Sequence, residues 1–178
     1  MKLIFSRYSL LNAVLRDAQG SPLYRIETSH SWSNRSTTIS RFVAGPHAQI
    51  IESNRAHPLV EVAEIRWHAV KQSVFVFKGM ERKLGDYLRG KGLMRRQRIF
   101  TATDGRSYKW ILGMRTCWSS AADLEIEVAR YHRPSVGLVG KAHTGWLEYL
   151  PQVEPILHEL IMTFVWVERR RKQRERAA

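Results

Sequence analysis

Apolar and polar positions alternate in short runs along most of the chain, which predicts strands rather than helices. Leu11 to Asp17 and Leu23 to Thr28 flank Ala18-Gln19-Gly20-Ser21-Pro22, a hairpin pattern with a Gly/Pro turn. Thr37 to Val43 is rich in β-branched residues and is closed by Ala44-Gly45-Pro46, while Gln97 to Thr103 and Arg106 to Leu112 flank Asp104-Gly105, a two-residue hairpin cue. Leu124-Glu125-Ile126-Glu127-Val128 alternates strictly, so one face should be buried and the carboxylates should meet water. In Val60 to Trp67 the polar positions Glu61, Glu64 and Arg66 change parity, which predicts a β-bulge near Val62-Ala63. Val74-Phe75-Val76-Phe77 offers no polar face and predicts a strand covered on both sides. Roughly ten to twelve such runs precede residue 150, at the spacing of a closed barrel or a sandwich.

The last segment differs in kind. Between Ile156 and Val167 only His158, Glu159 and Thr163 are polar, and an Arg-rich stretch of good helix formers follows. Glu154-Pro155 suits a helix start, since proline fits the first turn and a carboxylate favours the positive end of the helix dipole. A helix from Pro155 to Arg176 would run about 33 Å. Its apolar residues go right round, which predicts enclosure on all sides rather than on one face. Thr163-Phe164-Val165-Trp166-Val167 read alone also suits a strand. The apolar stretch is shorter than the ~20 residues that a membrane span needs.

The chain is strongly basic. The formal net charge is +13 over 178 residues, and it is concentrated. Residues 66 to 109 carry 12 basic and 3 acidic side chains, residues 168 to 178 carry 6 and 2, and the rest of the chain is neutral. Clustered charge of this kind attracts polyanions more strongly than dispersed charge; a solvated, solubilising surface would show the same clustering. The first sixteen residues break their apolar runs with Ser6, Arg7, Asn12 and Arg16, so they form no signal-peptide core. One cysteine, Cys117, fits a reducing compartment. These features predict an intracellular protein, cytoplasmic or nuclear, folded as one domain over 1–178 with a basic helical tail at 168–178, and the Asn34-Arg35-Ser36 glycosylation triplet would then be idle.

Four segments together resemble a known family: Asp17 to Ile26 in the first hairpin, Val62-Ala63-Glu64-Ile65-Arg66-Trp67 in mid-chain, Asp104 to Trp110 at the second hairpin, and Thr163 to Arg171 at the end. Their order is similar to a fungal domain-of-unknown-function family with the tubby-like fold, alongside the LURP-one-related and scramblase-like proteins. The resemblance implies a mainly β fold, a closed barrel of about twelve antiparallel strands around a hydrophobic C-terminal helix. It also implies lipid or phosphoinositide contact for some members and transcription-linked roles for others. It supplies no site residues.

No catalytic constellation stands out. The seven histidines are scattered without metal-ligand spacing, no G-x-S-x-G is present, and no cofactor is expected. Ser135 to Ala142 lacks the first glycine and the hydroxyl of a phosphate loop, and Gly137-Leu138-Val139-Gly140 reads as a β-turn rather than a nucleic-acid clamp. The most suggestive segment holds Arg89, Lys91, Arg95, Arg96 and Arg98 around Leu93 and Met94 in a glycine-loosened loop. Such a loop could lay cations on lipid headgroups while Leu93 and Met94 dip into the interface. Arg169, Arg170, Arg171 and Lys172 would assist from the tail, provided both segments face one plane within a Debye length of ~8 Å. The leading expectation is therefore a non-enzymatic domain that engages anionic phospholipid. The alternative is a nucleic-acid-binding module that uses the same cations with Trp67, Phe100 and Tyr108 as stacking faces.

Overall fold

A computed structural model describes residues 1–29, 35–43, 58–68, 71–92, 96–121, 124–135 and 142–177. Of the features singled out in the sequence, Leu93, Met94, Arg95, Asn34, the Ala44-Gly45-Pro46 turn and the 136–141 glycine turn lie outside the described residues. Within them the strands are β1 (Lys2–Phe5), β2 (Ala13–Arg16), β3 (Pro22–Thr28), β4 (Arg35–Phe42), β5 (Leu59–Trp67), β6 (Val74–Phe77), β7 (Met80–Lys83), β8 (Arg89–Lys91), β9 (Gln97–Thr101), β10 (Ser107–Ile111), β11 (Thr116–Ala121), β12 (Leu124–His132) and β13 (Trp146–Tyr149). A one-turn helix, α1 (Leu84–Tyr87), joins β7 to β8, and the long helix α2 (Leu157–Ala177) ends the chain. No helix among the described residues is long and apolar enough to cross a membrane.

All thirteen strands belong to one antiparallel sheet in the order β7-β6-β5-β4-β3-β2-β1-β13-β12-β11-β10-β9-β8. The expected closed barrel is corrected here, because β7 and β8 are both edges and do not pair with each other. The reason lies in the connection between them. Leu84, which opens α1, and Leu88, just after it, are both buried, so the chain between the two edge strands turns into the core. The exposed side chains of β7, Met80-Glu81-Arg82-Lys83, then guard the open edge with charge.

Several local expectations match the register. Ile39 pairs with Ala63 and Ser40 with Glu61, so Val62 is the extra residue of a bulge at the place where parity changed. A second bulge at Cys117/Trp118 carries Val128 and Ala129 both inside, which the strict alternation of 124–128 did not foresee; Ile126 stays 44% exposed. The Asp104-Gly105 turn is longer than two residues. The Ala102 N–H donates to the Arg106 carbonyl and the Gly105 N–H to the Ala102 carbonyl, with Gly105 at φ 79°, a three-residue loop whose left-handed position requires glycine. In β6, Phe75 and Phe77 are buried while Val74 and Val76 are half-buried.

The C-terminal helix forms as the apolar pattern requires, with its start displaced. Pro151–Ile156 is a 3-10 turn and the α-helix begins at Leu157, since Pro155 has no N–H with which to join an α-helical ladder. Leu160, Ile161, Met162, Phe164, Val165, Trp166 and Val167 are all buried, so the helix is enclosed all round. Both halves of the sheet supply that enclosure. The Phe164 ring lies 4.8 Å from Tyr131 of β12, 5.8 Å from Trp110 of β10 and 5.9 Å from Phe5 of β1, centroid to centroid. Polar groups inside are paired: the Trp110 indole donates to the Thr163 hydroxyl at 3.0 Å, which donates to the Leu160 carbonyl at 3.1 Å. Glu159 is buried near the start of α2, where it accepts from the Tyr87 hydroxyl at 2.7 Å and from the Thr103 N–H at 3.1 Å.

Two outcomes follow from this packing. Phe164→Asp places a carboxylate among aromatic rings and should abolish cooperative unfolding, because losing a buried Phe costs about 3–5 kcal/mol before any charge penalty is added. It tests enclosure more sharply than Trp166→Asp, since Arg98 and Arg170 stand over the Trp166 ring and would pair with a new carboxylate there. A soluble Phe164→Asp protein with a sharp melting transition would contradict the enclosed helix. Burial also pushes Tyr24 and Tyr131 up to about 12 from their ordinary value of 10.0. A tyrosine that ionises less readily folded than unfolded stabilises the fold below its unfolded pKa, and that contribution is lost as pH rises through the folded one. The melting temperature should therefore fall steadily between pH 10 and pH 12, and Tyr131→Phe should flatten the fall; a level profile would speak against buried tyrosines.

Candidate anion-binding face

The direction of α2 decides where its arginines go. Its first turns lie at the end of the sheet where His158 meets Tyr24 and Glu159 meets Thr103, and its last turns leave at the opposite end, where β4 begins at Arg35, β5 ends at Trp67 and β9 begins at Gln97. Lys91 pairs with Gln97, and the Arg96 carbonyl accepts from the Leu112 N–H at that same end. Two basic stretches far apart in sequence thereby meet at the end where α2 emerges.

The predicted cations do not share one environment. Arg89, Lys91 and Arg96 are exposed, with Arg89 and Lys91 in the edge strand β8 rather than in a loop. Arg98 points inward from β9 and is buried, its guanidinium 5.1 Å from the Trp166 ring, so it is not a surface cation. Arg171 is also buried; it donates to Glu168 and Glu175, and Arg133 donates to Glu175 at 2.7 Å. That network balances Arg171 locally and ties the last turns of α2 to the loop after β12. Arg170 is exposed, its guanidinium 5.6 Å from the Trp166 ring, and Lys172 is half-buried.

Two cavities flank the emerging helix. One of about 330 Å³ opens at the seam between β7 and β8, with Arg89, Arg98 and Arg170 around Trp166, Ser73 and Gln72. Its described lining includes no carboxylate. The other, about 350 Å³, lies across the helix against Arg35, Arg169 and Lys172. The Arg169 guanidinium sits 3.9 Å above the Trp67 ring, whose indole N–H is held by the Thr37 hydroxyl at 2.7 Å. A third cavity of about 620 Å³ lies at the seam nearer the start of α2, where Arg82, Lys83 and Arg89 stand beside Asp86 and Tyr87.

The chemistry expected of the remaining candidates is limited by burial. The Cys117 thiol is fully enclosed and pushed well above its ordinary range by that enclosure, so it is protonated at neutral pH. The Tyr87 hydroxyl is raised by burial and then by its bond to Glu159. Burial, aided by Arg41 and Lys78, lowers His158. Among the described residues no group of three or more His, Cys, Asp or Glu side chains could hold a metal ion. Trp67, Phe100 and Tyr108, considered as stacking faces for bases, are all interior.

Arg35 is the site residue that sequence reasoning missed. It lies in the neutral part of the chain, within a triplet read as a glycosylation signal, and only its pairing with Trp67 brings it beside Arg169. Arg115 and Arg133 join the same end by the fold alone; the Arg115 guanidinium is lowered by burial and then by Arg133 and Arg171.

Comparison with known proteins gives a family without an activity. A model described as a family of unknown function, DUF6593, matches residues 8–173. No curated protein and no solved structure matches the chain. With nearly its whole length inside that match, the chain belongs to the DUF6593 family of unknown function.

Proposed function

We propose that this protein is a non-catalytic binding domain that docks on anionic phospholipid surfaces with the end from which α2 emerges. The observation that carries the reading is the convergence of exposed Arg89 and Arg170 on one cavity at the seam, which buried Arg98 also lines, although they come from an edge strand, the terminal helix and an inner strand. Exposed Lys91 and Arg96 stand at the same end. Charges gathered on one face act together on a surface, whereas charges spread around a body are screened from one another beyond ~8 Å. Each basic residue near an anionic leaflet contributes about 1 kcal/mol. The enclosed apolar helix also supports placing the chain with the tubby-like proteins, whose lipid contacts agree with this reading; the open seam is a departure from a fully closed barrel.

Co-sedimentation with phosphatidylcholine, phosphatidylserine and phosphoinositide vesicles tests the proposal. The wild-type protein should pellet with anionic vesicles at physiological salt and ignore neutral ones. Arg89→Glu/Arg96→Glu/Arg170→Glu should weaken that partitioning by ~100-fold or more, from about 1 kcal/mol for each cation removed, with the circular dichroism spectrum unchanged because all three side chains are exposed. Unchanged sedimentation of the triple variant would refute the assignment of this face. Competition by RNA, with affinity falling steeply as salt rises, would instead favour a nucleic-acid partner.

A further inference from the structure

The cavity beside Arg169 differs from an ordinary basic surface in how its central charge is held. Arg169 is half-buried, stacked on Trp67 at 3.9 Å, and its Nη1 is enclosed without a hydrogen-bond acceptor among the described residues. A buried guanidinium in a folded protein is ordinarily satisfied by a carboxylate or a carbonyl. The charged neighbours that bear on Arg169 are instead Arg35 and Arg170, both cations, and the cavity lining adds a third in Lys172. Burial, with Arg35 and Arg170 adding to it, holds the guanidinium down at about 10 from its usual 12.5. It still carries full charge at neutral pH, so the fold keeps a positive group partly out of water with no counter-charge among the described residues. Arg171, two positions along the helix, shows the contrast: it donates to Glu168 and to Glu175, the latter shared with Arg133.

From this arrangement we infer that the cavity formed by Arg35, Arg169 and Lys172 is a discrete site for a phosphate-type dianion, with Leu10, Leu11 and Val165 forming an apolar shelf for whatever the phosphate is attached to. The inference rests on reading the α2 exit end as anion-binding and narrows it to one pocket. A dianion suits the site because it can accept from several converging donors at once and offset like charges that otherwise repel. Gln173 offers a further polar contact at the rim. About 350 Å³ accommodates a phosphate with a short organic stem. The phosphate can belong to a lipid headgroup or to a free phosphate ester.

The Trp67 indole N–H, held by Thr37 under the Arg169 guanidinium, is a local reporter that can be assigned by Trp67→Phe and followed by NMR. Titration with inorganic phosphate and with glycerol 1-phosphate should shift that resonance saturably, with the ester tighter. Arg169→Gln should weaken both by ~10-fold or more, the loss of a charge-assisted bond. Arg35→Gln, at an exposed strand end where folding is not at risk, should do the same, while Arg170→Gln, whose side chain lies toward Trp166, should have a smaller effect. A shift that never saturates, or one indifferent to both Arg35→Gln and Arg169→Gln, overturns the pocket. Vesicle binding by the wild type without phosphate saturation also overturns it and leaves the face reading intact. Saturation by glycerol 1-phosphate in a protein that ignores anionic vesicles supports the pocket, as a site for a free phosphate ester, and discards the face reading.

Discussion

A backbone segment surrounded by apolar side chains has no water to bond with, so its N–H and C=O groups must satisfy one another. In this protein that constraint selects the helical form of Thr163-Phe164-Val165-Trp166-Val167, a run whose β-branched and aromatic side chains would suit a strand. A lone strand in the same place would bury two rows of unmet polar groups, whereas α2 buries almost none. The sheet is shaped around that choice. Its inward face supplies the rings of Phe5, Trp110 and Tyr131 against Phe164, and Thr163 and Glu159, two of the polar side chains it admits, come with partners from the wall.

Those polar contacts also set the helix's position along its axis. Glu159 fixes its start to Tyr87 behind the seam and to Thr103 in the β9–β10 turn, and Arg171 with Glu168, Glu175 and Arg133 fixes its last turns to the loop after β12. Between those anchors the helix can neither slide nor rotate without leaving a charged group unmet in the interior. The seam between β7 and β8 belongs to the same scheme. Tyr87, on the helix α1 that joins the two edge strands, is the residue that reaches Glu159, so the connection at the seam also helps to anchor α2.

An axis fixed in this way gathers cations at the end where α2 emerges. Arg169, Arg170 and Lys172 lie near the end of α2, where Arg35, Lys91 and Arg96 already stand. Gathering like charges costs free energy that hydrophobic burial elsewhere has to offset. The stacking of Arg169 on Trp67 and of Arg98 and Arg170 on Trp166 lessens that cost by placing cations over aromatic faces. It also holds the guanidinium groups in defined positions around two cavities, which is what an anion-binding site needs and a solubilising surface does not.

Much of this was legible from residue order because it depends on local pattern. The parity change at Glu61 to Glu64 located the Val62 bulge, the turn residues located the hairpins, and the mostly apolar run from Ile156 located a helix with no solvent face. Each is a property of neighbours in the chain, where the periods of strand and helix apply directly. The facing of individual cations was not legible. Arg98 and Arg96 are two apart in one basic stretch, yet one lies under Trp166 and the other in water; Arg171 was grouped with Arg169 and Arg170 although its carboxylate partners neutralise it. Arg35 carried no signal at all. By itself, then, the sequence determined a β-rich chain ending in an enclosed helix with its excess charge in two segments. The open sheet at α1, the meeting of both basic segments at one end and the arrival of Arg35 beside them across the β4–β5 ladder come from the folded chain alone. Strand pairing and the path of an enclosed helix are set by contacts between residues distant in sequence, and local periodicity holds no record of those contacts.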